Sequence, residues 1–141
     1  MSRVIKFRGK QIDTDTWVEG YYGYKELSDE HFIIVPTFDQ HSDSMPQYFT
    51  DCLVHAASVG QYTGLQDRNG VQIYEGDILR IPDLYETPEN TATTYHNDEV
   101  TFEDAAFCLG GEPLYEDHEY ISDSCEVIGN IHEHPHLLKG E

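Results

Sequence analysis

Basic residues are scarce in this chain. Eight lysines and arginines stand against 27 aspartates and glutamates in 141 residues, for a formal charge of −19 with histidine neutral. Four of the eight bases (Arg3, Lys6, Arg8 and Lys10) lie in the first ten residues, which contain no acid. The remainder therefore holds all 27 acids and four bases. A basic nucleic-acid groove neutralises phosphates with Lys and Arg, so this balance argues against direct nucleic-acid binding. A field of this sign attracts basic partners; the same charge also gives solubility and self-repulsion with no partner at all.

Cysteine is sparse too. Cys52, Cys108 and Cys125 are odd in number and form no CxxC, which excludes a disulfide framework and a zinc-finger pattern and leaves reduced, partly buried thiols. Long apolar runs are lacking: the longest, Ala105 to Leu109, is far shorter than a membrane span. The bases near Met1 are not followed by the apolar stretch of a signal peptide. The expectation is a soluble, cytoplasmic protein that does not engage membranes.

Catalytic signatures are missing as well. There is no G-x-S-x-G, P-loop or G-x-G-x-x-G. Acid pairs such as Glu75/Asp77, Asp98/Glu99, Glu103/Asp104 and Glu116/Asp117 arise by chance among so many carboxylates and mark no general acid and base. Asp67-Arg68-Asn69-Gly70 is a fragment of a calcium loop without the distal bidentate Glu. The chain reads as a non-enzyme without a cofactor.

What is present is aromatic and β-forming. Apolar residues make up only 38%, but aromatics reach 12%, mostly Tyr, which suits half-buried sheet faces. Strands are expected at residues 4–8, 16–22, 31–35, 62–65, 71–74, 78–81, 100–102, 106–109 and 125–132, with a turn at Gly9-Lys10; residues 47–55 suit a strand, with a helix as the alternative. Gly20 and Gly23 suit a bulge or a close backbone approach. Asn69-Gly70 between two β runs signals a hairpin, Glu75-Gly76-Asp77 a second tight turn. Two turns so close predict a small barrel or a curled meander. Residues 37–46 read as loop, and 83–98 as a long loop or insertion; 112–124 are ambiguous. Gly129 is placed to bulge the last strand, and Pro135 starts a final helical turn.

Three blocks together resemble the YopX family of phage and prophage proteins. They are Ile5-Lys6-Phe7-Arg8-Gly9-Lys10 with Trp17-Val18-Glu19-Gly20; the run from Val59 to Ile78, of form G-Q-Y-T-G-L-x-D-x-N-G-x-x-I-Y-E-G-D-I; and the run from Glu126 to Leu138, containing I-G-N-I. The resemblance is silent over about residues 24–56 and 83–124. It implies an SH3-like barrel with additional N-terminal α+β structure, homo-oligomers, and no assigned activity or catalytic residue to carry over. The fold class is thus mainly β (α+β), one unit over 1–141 with lobes at 1–58 and 59–138. Physically, Gly64, Gly70, Gly76 and Gly129 fall where the chain turns or bulges, Asp67 can accept bonds from the turn after it, and Glu75 and Asp77 can satisfy N–H groups around Gly76.

Two sets of candidate site residues remain. His132 and His134, two apart on an extended strand, would share a face and could hold a metal ion, against the plainer reading of a solvated C-terminal segment. Glu116, Asp117, Glu119 and Asp123 form the densest acidic stretch and are the candidate contact for a protein partner, of host or phage. A sharper form is nucleic-acid mimicry, with carboxylates imitating phosphates. A self-assembling structural protein and, behind it, a metal-dependent enzyme are the alternatives. Trp17 and Tyr21 on one face of their strand, and Tyr22 and Tyr24 on the other, offer one core face and one contact face.

Overall fold

Short β-forming segments separated by turns pair first with their neighbours in sequence. In the computed structural model, which describes residues 4–37, 48–83 and 94–139, β1 (Phe7–Lys10), β2 (Trp17–Lys25), β3 (Glu30–Thr37) and β4 (Tyr48–Val54) make an antiparallel meander. After a 3-10 turn at Ala56–Ser58, β5 (Gly60–Gln66) runs along the free side of β1, pairing Phe7 with Gln61. A bridge between Gln11 and Val54 brings the end of β4 back to the end of β1. The His55 N–H to Lys10 carbonyl bond of 2.9 Å supports it. The strands curl without closing into a barrel. Ile33 and Val54, both buried, fill this curl.

The chain divides into two compact units, Met1–Tyr62 and Thr63–Glu141, with the boundary inside β5. In the second unit the Asn69-Gly70 turn joins β5 to β6 (Gln72–Tyr74) as the dipeptide predicts. Gly76, at φ +93°, makes the next turn, a conformation an L side chain rarely adopts. Its N–H donates to the Val100 carbonyl and its own carbonyl accepts from Ile131, both at 2.8 Å. Then follow β7 (Asp77–Pro82), β8 (Tyr95–Glu103), β9 (Ala106–Leu109), β10 (Glu112–Pro113), a 3-10 turn at Leu114–Asp117, α1 (His118–Ser124), β11 (Glu126–Asn130) and a 3-10 turn at Pro135–Lys139. The sheet order is β10-β9-β8-β7-β11, all antiparallel. The β11 register shifts between Val127 and Gly129, the expected bulge. Ile73, Leu79, Ile81, Val100, Leu114, Ile121 and Cys125 form the core of this unit.

A mainly β fold with some α holds; several details differ. Neither sheet is a closed barrel. The α-helix lies in the second unit, whereas the described part of the first contains only a 3-10 turn. Gly9-Lys10 is strand, because pairing with Val18 and Trp17 continues through it. The loop expected over 83–98 is shorter at its far end: Tyr95 to Asp98 pair with β7, while residues 84–93 lie outside the described residues, as do 38–46 of the other expected loop and residue 47 of the segment after it. The ambiguous stretch 112–124 resolves into β10, a 3-10 turn and α1.

Candidate functional site: an apolar cleft with an acidic rim

The distinctive glycine and aspartate motif turns out to be structural. Asp67, only 4% exposed, accepts from the N–H groups of Asn69 (2.8 Å) and Val71 (2.9 Å) on one oxygen and of Val127 (2.8 Å) on the other. Asp77, 1% exposed, accepts from the Tyr74 N–H at 2.7 Å. Asn130 accepts from the His132 and Glu133 N–H groups, capping the turn that ends β11. These side chains are spent on the backbone.

The candidate site lies elsewhere in the second unit. Along β8, Val100, Asp98 and His96 point to one face, the one that carries Leu79 and Ile81 on β7. That face is core at Val100 and opens toward the strand's start into a cleft of about 820 Å³, within the range of ligand sites. Its floor is apolar and continuous with the core: Ile81, Leu109, Leu114, Ile121 and Cys125. The Tyr120 hydroxyl of α1 donates to the Pro82 carbonyl at 2.6 Å and ties the helix to the end of β7. Burial raises the Tyr120 pKa, so the phenol stays a donor.

The rim is polar and acidic. His96 lies between two carboxylates, with Nδ1 2.6 Å from Asp83 Oδ1 and Nε2 3.4 Å from Asp98 Oδ2. The Thr94 hydroxyl donates to the other oxygen of Asp83. The Thr94 and His96 bonds, in that order, hold the Asp83 carboxyl below the ordinary aspartate range. Glu112 and Asp117 complete the rim, and no Lys or Arg is among the described residues lining the cleft.

A lowered folded-state pKa contributes stability above the unfolded value, and that contribution disappears as pH falls through the folded value. The Asp83→Asn variant is therefore expected to lose stability near neutral pH and to show a flatter loss on acidification, measured by denaturant melts across the acid range. An unchanged acid limb would remove Asp83 from the account.

The cysteines offer no nucleophile. Burial, with the charges of Asp117 and Asp67, pushes the Cys125 thiol up to about 11, and burial also raises Cys52. Cys108 and Cys125 are buried and Cys52 is half-buried. A chromogenic disulfide reagent is expected to titrate Cys52 alone, slowly, in the folded protein, and all three thiols after denaturation. Rapid reaction of Cys125 would contradict the packed floor.

The expected site residues separate. Glu116 and Asp117 stand on the 3-10 turn, Glu119 and Asp123 on α1, all exposed; Asp117 also lines the cleft. His132 and His134 do not share an extended strand, because β11 ends at Asn130 and residues 131–133 are a turn. Each ring instead covers a glycine: a Cβ on Gly76 would lie 3.1 Å from His132 Nε2, and one on Gly129 2.7 Å from His134 Nδ1. His134 Nδ1 accepts from the Asn130 N–H. Among the described residues no group of three or more His, Cys, Asp and Glu could hold a metal ion. Tyr22 and Tyr24 pack on His31, and Tyr22 also on Phe7, while Arg8 covers Trp17 on the opposite face; both faces of β2 stay partly exposed. Among the described residues no helix is long and apolar enough to cross a membrane.

Asp83, His96 and Asp98 were not singled out by the sequence. The usable signal was the pair His96 and Asp98, two apart, if 95–98 had been read as strand.

Fold and cleft together define a class: a mainly β protein of two antiparallel sheets, with an acid-rimmed apolar cleft in its second unit. The chain belongs to the YopX family, whose model matches residues 6–139, nearly its whole length. It is similar to protein EF1440 from Enterococcus faecalis, known from a crystal structure, at 27% identity and a TM-score of 0.55, covering 97% of this chain and 99% of that one. No curated protein matches it.

Proposed function

We propose that this is a phage or prophage accessory protein of the host cytoplasm. It acts by binding a basic protein partner through the acidic side of its second unit, not by catalysis. One observation carries the reading. Asp117 belongs both to the exposed acidic stretch with Glu116, Glu119 and Asp123 and to the rim of a cleft with no Lys or Arg among its described lining residues. The scarcity of Lys and Arg in the whole chain points the same way. Against catalysis, Cys125 is held protonated and the Thr94 hydroxyl is engaged by Asp83 rather than by an imidazole. In its sharper form the partner is a DNA-binding protein and the carboxylates stand in for phosphates.

The test is affinity capture from bacterial lysate by the wild-type protein and by a variant combining Glu116→Lys, Asp117→Lys, Glu119→Lys and Asp123→Lys. Basic proteins retained by the wild type at low salt, lost on the variant and, for the mimic, displaced by added DNA are expected. The same proteins retained by both would end this reading.

A second reading, self-assembly, rests on β4. It is the outer strand of the first sheet, and Tyr48 and Phe49 on it are 60% and 55% exposed. Light scattering separates the two: a closed oligomer that captures nothing favours assembly, and a monomer that retains a basic protein favours partner binding.

A further inference from the structure

The acid-rimmed cleft differs from a merely acidic surface in having a deep apolar floor. We propose that it is a recognition groove for an extended basic segment of a protein, one in which apolar and basic residues alternate; this rests on the partner-binding reading above and names where and how that partner is held. The argument is geometric. An extended peptide points successive side chains to opposite sides. Apolar side chains directed down would meet Ile81, Leu109, Leu114 and Ile121, which already belong to or pack on the core. Basic side chains directed up would meet Asp98, Glu112 and Asp117 at the rim.

The charge argument selects the occupant. A neutral apolar ligand would leave the rim carboxylates partly desolvated and unpaired with it, at a cost that a cation removes. An anionic ligand would meet them with no Lys or Arg among the described lining residues to offset the repulsion. Both oxygens of Asp83 are taken, by Thr94 and His96, whereas Asp98 meets His96 through Oδ2 alone, so the carboxylates with capacity left for a guanidinium or ammonium are the three named. His96, braced by Asp83, acts as a positioning residue: it fixes Asp98 over the floor from 3.4 Å. Gly110 bears on the same point, because a Cβ there would lie 2.7 Å from Asp98 Oδ2 and push the carboxylate away.

The experiment uses the full chain and three synthetic peptides, read by fluorescence anisotropy at low salt. The first alternates leucine and arginine, the second replaces arginine with glutamate, and the third replaces leucine with serine. The alternating peptide is expected to bind at least about tenfold more tightly than either of the others. Asp98→Asn and Asp117→Asn are each expected to weaken it several-fold, and Glu103→Gln, exposed at the far end of β8 and outside both the lining and the acidic stretch, to leave it unchanged. Asp117 is exposed, so its variant keeps the test alive should Asp98→Asn fail to fold.

Equal binding of the serine peptide, or equal loss on Glu103→Gln, would overturn the groove and leave the acidic partner reading standing. Absence of binding by the arginine peptides would overturn both. Light scattering at the same concentrations would expose a third outcome, a dimer that the peptide dissociates. That would make a second copy the occupant and overturn the proposal.

Discussion

Replacing Asp67 with alanine is expected to destabilise the second unit by about 3 kcal/mol, the loss of a buried carboxylate that accepts three backbone hydrogen bonds. The aspartate is 4% exposed and satisfies three backbone N–H groups. Hydrogen bonds to charged groups are each worth about 1.5–3 kcal/mol, and stranding their partners adds a desolvation cost. Two of the donors belong to the turn that follows; the third, from Val127, lies 60 residues away on β11. Beside it the Arg68 N–H donates to the Cys125 carbonyl at 3.0 Å. The hairpin tip is thus fastened to the last strand. Denaturant unfolding should show the midpoint fall with an unchanged slope. Asp67→Asn sharpens the test. Its one acceptor oxygen serves best on the side with two donors, which frees the Val127 amide alone. Hydrogen exchange should rise at Val127 while Asn69 and Val71 stay protected; equal exchange at all three would show that the link to β11 does not hold the tip.

That residue also marks the reach of a sequence reading. A turn aspartate accepting from its own hairpin is local chemistry, legible in Asp67-Arg68-Asn69-Gly70. Its second oxygen bonds to a strand that no spacing rule connects to it. Strands 71–74 and 78–81 were legible because Gly70, Gly76 and Pro82 punctuate their ends. The first unit was less so: Gly9-Lys10 was expected to turn, but strand pairing with β2 overrides the preference of glycine for turns. Whether the sheets close was not legible either, because closure depends on long-range geometry that the turns do not carry.

The candidate site was readable only at one corner. Acid density found Asp117 but gave no reason to prefer it over Glu119 or Asp123, since all three are exposed. The floor could not be found at all, because Ile81, Leu109 and Ile121 look like any core residues until their shared opening is seen. His96 and Asp98 sat inside a stretch whose polarity reads as loop. Their placement on the inner face of β8 follows from pairing with Ile81 and Leu79, a tertiary fact. The histidines that did attract attention, His132 and His134, are there to cover Gly76 and Gly129.

Those covered glycines have a counterpart in the first unit, where Gly20→Ala is expected to cost about 3 kcal/mol, the upper end of overpacking penalties. At Gly20 the ladder with β1 begins, opposite Phe7, while the ladder with β3 ends one residue later at Tyr21 and Ile34. The Ile34 carbonyl sits where a side chain would be: a Cβ on Gly20 would lie 2.2 Å from that oxygen. An oxygen of the main chain cannot swing aside as a rotamer does, so β3 must shift and its register with β2 must strain. This explains why Trp17-Val18-Glu19 is followed by glycine. Gly23 provides the control in the same strand. A Cβ there would meet only the flexible end of Ile34, at 3.3 Å. Alanine also lowers the entropy of the unfolded chain, so Gly23→Ala is expected to be neutral or stabilising by up to about 1 kcal/mol. Thermal unfolding of the pair should separate them clearly. Equal effects, in either direction, would mean that β3 does not approach β2 as closely as the Ile34 carbonyl requires.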